Sequence, residues 1–142
     1  MILLTLLIAN LIWIGYSLTE GMVEGFYWHY ENKSKKVCDF NINPIFGLQR
    51  VLIVALTSII LTQTIGYFSL LNIASMILMF PFFHNGTYYY TRNKLDKSVY
   101  KSRWSDESKT IPSISPLFSY RNRTIGIVLG ILTQIFVYLF LL

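Results

Sequence analysis

The sequence predicts an all-α polytopic membrane protein, a four-transmembrane-helix bundle built from two helix-loop-helix repeats of parallel orientation. Three observations carry that prediction. The 142 residues are 54% hydrophobic and 13% charged, with mean hydropathy +0.48, which is unlike a solvated globule. All 12 Lys/Arg and all 7 Asp/Glu fall between Glu20 and Arg123, leaving both ends and a central run uncharged. Finally, landmarks in the first half of the chain recur in the second.

The first span opens at the amino terminus with MILLTLLIANLIWIGYSL, 18 residues without a charge. It lacks a basic leading segment and a small-residue cleavage site, so it reads as a retained span covering about 1–28 and not as a signal peptide. Residues Val51 to Phe83 form a run of 33 uncharged residues, too long for one upright helix and just long enough for two. A turn near Thr64 to Tyr67, made by Gly66, divides it into spans of about 48–65 and 68–84. Pro81 falls near the expected end of the third span, where interrupting a helix costs little. The fourth span covers about 124–142.

Four spans place both termini and the hairpin turn on one side, and two hydrophilic loops, about 30–49 and 85–122, on the other. Every charge lies on the loop side. Because short basic loops stay cytoplasmic, both termini are expected outside the cytoplasm, with the chain an integral protein of a bacterial plasma membrane, the cell inner membrane. The net charge of +5 is explained by this topology, and no nucleic-acid recognition motif accompanies it. Lys94, Lys97, Lys101, Arg103 and Lys109 suit anionic lipid headgroups, with Trp104 as an interfacial anchor. Three glycosylation sequons, at Asn32, Asn85 and Asn122, carry no weight on a cytoplasmic face. The single cysteine, Cys38, excludes an intrachain disulfide.

The repeat pairs Asn43-Pro44-Ile45-Phe46 with Ser115-Pro116-Leu117-Phe118, and Ile60-Leu61-Thr62-Gln63 with Ile131-Leu132-Thr133-Gln134. Ala9-Asn10 aligns with Ala74-Ser75, and Glu20-Gly21 with Asn85-Gly86, at a constant offset of 65. Repeat one is then 1–67 and repeat two 68–142, related by a pseudo-two-fold axis along the membrane normal. Helices one and three face each other in this arrangement, which brings Glu20 and Glu24 near His84 and Asn85.

Glu20 and Glu24 share one helix face, and a carboxylate near the hydrocarbon boundary needs a partner, a proton or water. Gly21 and Gly25 leave that helix narrow beside them. His84 can relay a proton, ligate a metal or pair with either carboxylate. The expected ligand-binding set is Glu20, Glu24, His84, Asn85, Tyr89 and Arg92, the catalytic set for an enzyme is Glu20, Glu24 and His84, and the interior polar pair is Gln63 and Gln134. His29 is a second candidate, turned away from the Glu20 and Glu24 face. Two His and two Glu can in principle hold a divalent cation, but no strong metal spacing is present and no cofactor is indicated. Gly126 and Gly130 form a Gly-x-x-x-Gly packing face.

Three functions fit. The leading one is a small transporter or channel-like protein for a cation, proton or polar solute, oligomeric because four spans are few for a pathway. The second is a membrane-embedded enzyme acting on a lipid or amphiphile by Glu/His acid-base chemistry. The third is a structural or accessory subunit whose helices mainly recognise another membrane protein, marked by an apolar or Gly-lined groove on the outside of the bundle with the glutamates paired within their own chain.

Overall fold

A computed structural model describes residues 2–34, 43–98, 104–105 and 119–141. These form four helices, α1 (Ile2–Ser34), α2 (Asn43–Ile65), α3 (Phe68–Leu95) and α4 (Tyr120–Leu141), each long and apolar enough to cross a membrane. The chain is an all-helical integral membrane protein. Its large hydrophobic side chains point outward, as Leu11, Leu56, Leu70 and Leu139 do, while Ser17, Asn72, Ser75 and Gln134 are buried. Lipid tails are as apolar as leucine, so burying leucine gains little here, whereas polar groups need partners inside the bundle.

The central element is α3, which packs along α1 on one side and α4 on the other; α2 lies less extensively against α3 and α1. Glycines permit both close contacts. A Cβ added at Gly21 would collide with the His84 carbonyl and the Thr87 hydroxyl, and one at Gly25 would lie 3.0 Å from the Tyr88 carbonyl oxygen. On the opposite side, a Cβ at Gly126 would come within 2.7 Å of the Leu78 carbonyl oxygen, and Gly130 abuts Met79. Ser75 donates to the Gly130 carbonyl at 2.8 Å, a hydrogen bond that this close approach allows. The Gly-x-x-x-Gly face of α4 is therefore spent inside the bundle.

The α2–α3 turn occupies Gly66 and Tyr67, with Gly66 at φ +56°, a left-handed conformation that residues with a Cβ rarely adopt. The Gly66 amide donates to Thr62 O at 3.0 Å and the Ser69 amide to Gly66 O at 3.0 Å, so the reversal leaves few backbone groups without partners. Leu6, Trp13, Leu61, Ile65, Met76 and Val137 make the apolar core beside it.

The helix limits differ from the expected spans most clearly in α3. Residues 85–95, expected to be loop, are helical, and Pro81 lies well inside the helix. Proline removes one backbone donor, but the turns after it are held against the glycine face of α1, and that packing outweighs the local preference to stop. In the same way α1 continues to Ser34 and α2 begins at Asn43, so the expected first loop, 30–49, is shortened at both ends. At 1.5 Å per residue, α1 is about 50 Å long and α3 about 42 Å, against a hydrocarbon thickness of about 30 Å. Both extend beyond the bilayer core at the charged end.

Candidate functional site: a buried charge network

Glu20 lies about 27 Å along α1 from Ile2, Arg50 about 23 Å along α2 from Ile65, and His84 about 24 Å along α3 from Phe68, using the helical rise. With α1 and α3 running parallel and α2 antiparallel to both, these residues come to one level of the bundle. Arg50 Nε donates to Glu20 Oε1 at 2.8 Å, and its Nη2 donates to Glu24 Oε2 at 3.3 Å. His84 Nε2 lies 2.8 Å from the same Glu24 oxygen, and His84 Nδ1 lies 2.8 Å from Asn85 Oδ1. Glu20 and His84 are buried, at 4% and 6% exposure, while Arg50 reaches in from a half-buried position. Phe80 forms the floor, stacked on the His84 ring at 4.9 Å with the Arg50 guanidinium 5.3 Å from its centroid.

The arrangement determines what the imidazole can do. Nε2 faces the Glu24 carboxylate oxygen, with the Arg50 Nη2 donor 3.3 Å away as a second neighbour, and Nδ1 faces the Asn85 amide oxygen. The imidazolium satisfies both, as does the neutral Nε2–H tautomer with the Asn85 amide turned end for end so that its nitrogen donates. In either case both ring nitrogens are occupied within the chain. The space between the carboxylates, where a cation would sit, holds the guanidinium. Among the described residues no group of three or more His, Cys, Asp or Glu side chains is placed to hold a metal ion.

A second polar cluster lies deeper, toward the termini. Asn10 Nδ2 donates to Gln134 Oε1 at 3.1 Å while Gln134 Nε2 donates back to Asn10 Oδ1 at 3.0 Å. The same Asn10 nitrogen also reaches Asn72 Oδ1 at 3.1 Å, tying α1, α3 and α4 together. Reciprocal amide pairing satisfies groups that would otherwise be costly in hydrocarbon.

Of the expected residues, the structure brings Glu20, Glu24, His84 and Asn85 together and leaves Tyr89 and Arg92 apart from them. Arg92 Nη1 donates to the Tyr88 hydroxyl at 3.1 Å, and Tyr89 is buried beneath the Arg123 guanidinium, 5.4 Å from its ring centroid. The two residues lie one and two turns past Asn85 on the extended part of α3, so helix continuation moves them away from the network. His29 is buried on α1 beyond Glu24, with its ring edge-on to Tyr30. Gln134 is interior, but Gln63 is exposed on α2, because α2 buries only a narrow face on the bundle. Trp104, expected as a lipid anchor, packs on α3 at Gly86 and lies 5.9 Å from the Phe82 ring. Most of the loops, including Cys38, Lys101, Arg103 and Lys109, lie outside the described residues.

Two arginines of the polar interior escaped the sequence reading. Arg50 is the last charge before the 33-residue uncharged run, a position that marks it as the cation entering the membrane edge opposite Glu20. Arg123 is the corresponding charge ahead of the fourth span and is 1% exposed, between the rings of Tyr89 and Tyr120. No protein family, curated protein or solved structure compared with the chain matches it.

Proposed function

We propose that this chain is a structural or accessory subunit of a membrane assembly, in which the Glu20, Glu24, Arg50 and His84 network fixes how three helices meet. The observation that supports this most strongly is the closure of the network: Arg50 contacts both carboxylates and both nitrogens of His84 face protein acceptors. A general acid or base needs a nitrogen or oxygen within reach of a substrate, and an ion pathway needs groups free to exchange partners. The amide cluster of Asn10, Asn72 and Gln134 is likewise paired within the bundle.

In this reading the charged loops are cytoplasmic and both termini lie outside, in a bacterial plasma membrane, as the positive-inside asymmetry favours. Its partner is a second copy or another membrane protein. The two-repeat organisation is supported by the recurring Pro-x-Phe and Thr-Gln landmarks and by the packing of α1 against α3. Against an exact repeat, Gln63 and Gln134 occupy different surroundings.

The transporter reading makes a different prediction, so flux separates the two. With the purified full chain in liposomes, sodium, potassium and proton fluxes are expected to equal those of protein-free vesicles. A flux carried by the native chain and abolished by Glu24→Gln in folded protein would overturn the subunit reading in favour of transport.

A further inference from the structure

Two side-chain amides on α2, those of Gln49 and Gln63, are exposed and make no hydrogen bond among the described residues. The amides of Asn10, Asn72 and Gln134, by contrast, are paired inside the bundle. The surface around both glutamines is apolar. At the level of Gln63, Leu4, Leu70 and Leu139 are exposed near the same end of their own helices. Beyond Gln49, Ile45 of α2 and Met22 and Phe26 of α1 carry exposed hydrophobic surface further toward the charged end. An acyl chain offers an amide neither donor nor acceptor, so each is costly where it stands.

The two glutamines occupy the same position of a heptad. Ile45, Gln49, Leu52, Leu56, Ile59 and Gln63 follow one another at alternating steps of four and three residues, and all six are exposed. They form one stripe, turned away from the face that packs Phe46, Leu61 and Ile65 into the bundle. With Gln49 and Gln63 at a, Leu56 is the a residue between them, and Ile45, Leu52 and Ile59 are at d. At 1.5 Å per residue the amides stand about 21 Å apart. We infer that this stripe is a self-association surface, along which α2 packs against α2 of a second copy of the chain in a parallel, left-handed pair.

The amides identify the partner. Copies inserted in one membrane share one orientation, so a two-fold axis along the membrane normal sets each a residue against its equivalent. An amide carries both donors and an acceptor, so two identical amides close a pair with two hydrogen bonds, as Asn10 and Gln134 do within the chain. A different protein would need two polar side chains at matching depths and the same spacing, which a second copy has by symmetry. Between the amides, leucine and isoleucine interdigitate as knobs into holes, and the polar a positions fix the register. The bundle leaves this face clear, because Gly126 and Gly130 draw α4 closely onto α3 whereas α2 packs less extensively on its neighbours. The inference rests on the subunit reading and names its partner.

The test uses the full chain, with Cys38 replaced by serine, in liposomes of phosphatidylethanolamine and phosphatidylglycerol. Mild oxidation is expected to join two copies through Leu52→Cys, Leu56→Cys or Ile59→Cys. It is not expected to do so through Leu132→Cys on α4, although Leu132 is 57% exposed against 58% for Leu56. Single-molecule photobleaching over a range of protein-to-lipid ratios then gives the strength of association. An amide pair holds two hydrogen bonds, so Gln63→Leu and Gln49→Leu are each expected to weaken dimerisation about tenfold. Both positions are exposed, so thermal unfolding of the monomer in detergent is expected to be unchanged. Monomers at every ratio, cross-linking as strong at Leu132 as at Leu56, or dimerisation undiminished in the doubly substituted protein would overturn the surface. Flux is a separate readout: ion flux would overturn the subunit reading and leave self-association standing, whereas monomers without flux would remove the surface and leave another membrane protein as the partner.

Discussion

Arg50 controls the energetics of the charge network, because among the described residues it is the guanidinium joined to both Glu20 and Glu24. Removing one member of a buried pair strands the other, a loss of about 3–5 kcal/mol when both are fully buried. Arg50 is 37% exposed, and water reaching its outer edge screens the pair, so about 2 kcal/mol is the better expectation for Arg50→Gln. Thermal unfolding in detergent measures it. Adding Glu20→Gln to that variant is expected to recover part of the stability, since the buried Glu20 charge is then gone and Glu24 keeps His84 as a partner; a double variant no better than Arg50→Gln alone would mean that Arg50 and Glu20 act independently. Deeper in the bundle, Asn10→Leu removes the amide shared with Asn72 and Gln134 and is expected to cost about 1 kcal/mol, the ordinary scale for interhelical hydrogen bonds in membranes. The proximity of Glu20 and Glu24 to His84 was legible in the sequence, because span lengths and topology place those residues at one level. Arg50 was not, because its role depends on how α2 is laid against α1, which periodicity does not encode.

Among the elements, α3 is gripped on both sides by glycine faces, and those faces give the contacts their sign. Gly21→Leu and Gly126→Leu place side chains against the α3 backbone and are expected to disrupt the folded bundle, whereas Gly15→Leu and Gly47→Leu meet open space and are expected to be tolerated. Comparing monodisperse yield from the four purified variants tests this directly; equal behaviour would show that the close approach is unimportant. The spans themselves were legible from their lack of charge, and the hairpin from Gly66. The far end of α3 was not. Pro81, Asn85 and Gly86 all read locally as signals to stop, yet Gly86 sits under Trp104 and the helix beyond rests on Gly25 of α1. Those are tertiary contacts between segments distant in sequence, and they overrode the local propensities.

For the whole molecule, orientation is the property to measure. Tyr67, at the hairpin turn, is 92% exposed, and Ser98, just past α3, is exposed on the opposite side. In a chain whose Cys38 is replaced by serine, a cysteine at Tyr67 is expected to react with an impermeant reagent from outside the cell. One at Ser98 is expected to react only after the membrane is opened, and the converse pattern would reverse the topology.

The sequence spacing of the charge network also bears on how the protein is made. Glu20 and Arg50 are 30 residues apart, and Glu24 precedes His84 by 60, so the carboxylates leave the ribosome well before the groups that neutralise them. Until α2 and then α3 are synthesised, Glu20 and Glu24 lack their Arg50 and His84 contacts, and a shallower placement of α1 that keeps them in water is favoured. The mature depth of the first helix is thus set by segments translated after it. A nascent chain halted before Arg50 would hold α1 displaced toward its charged end, and release of the second helix would draw it inward.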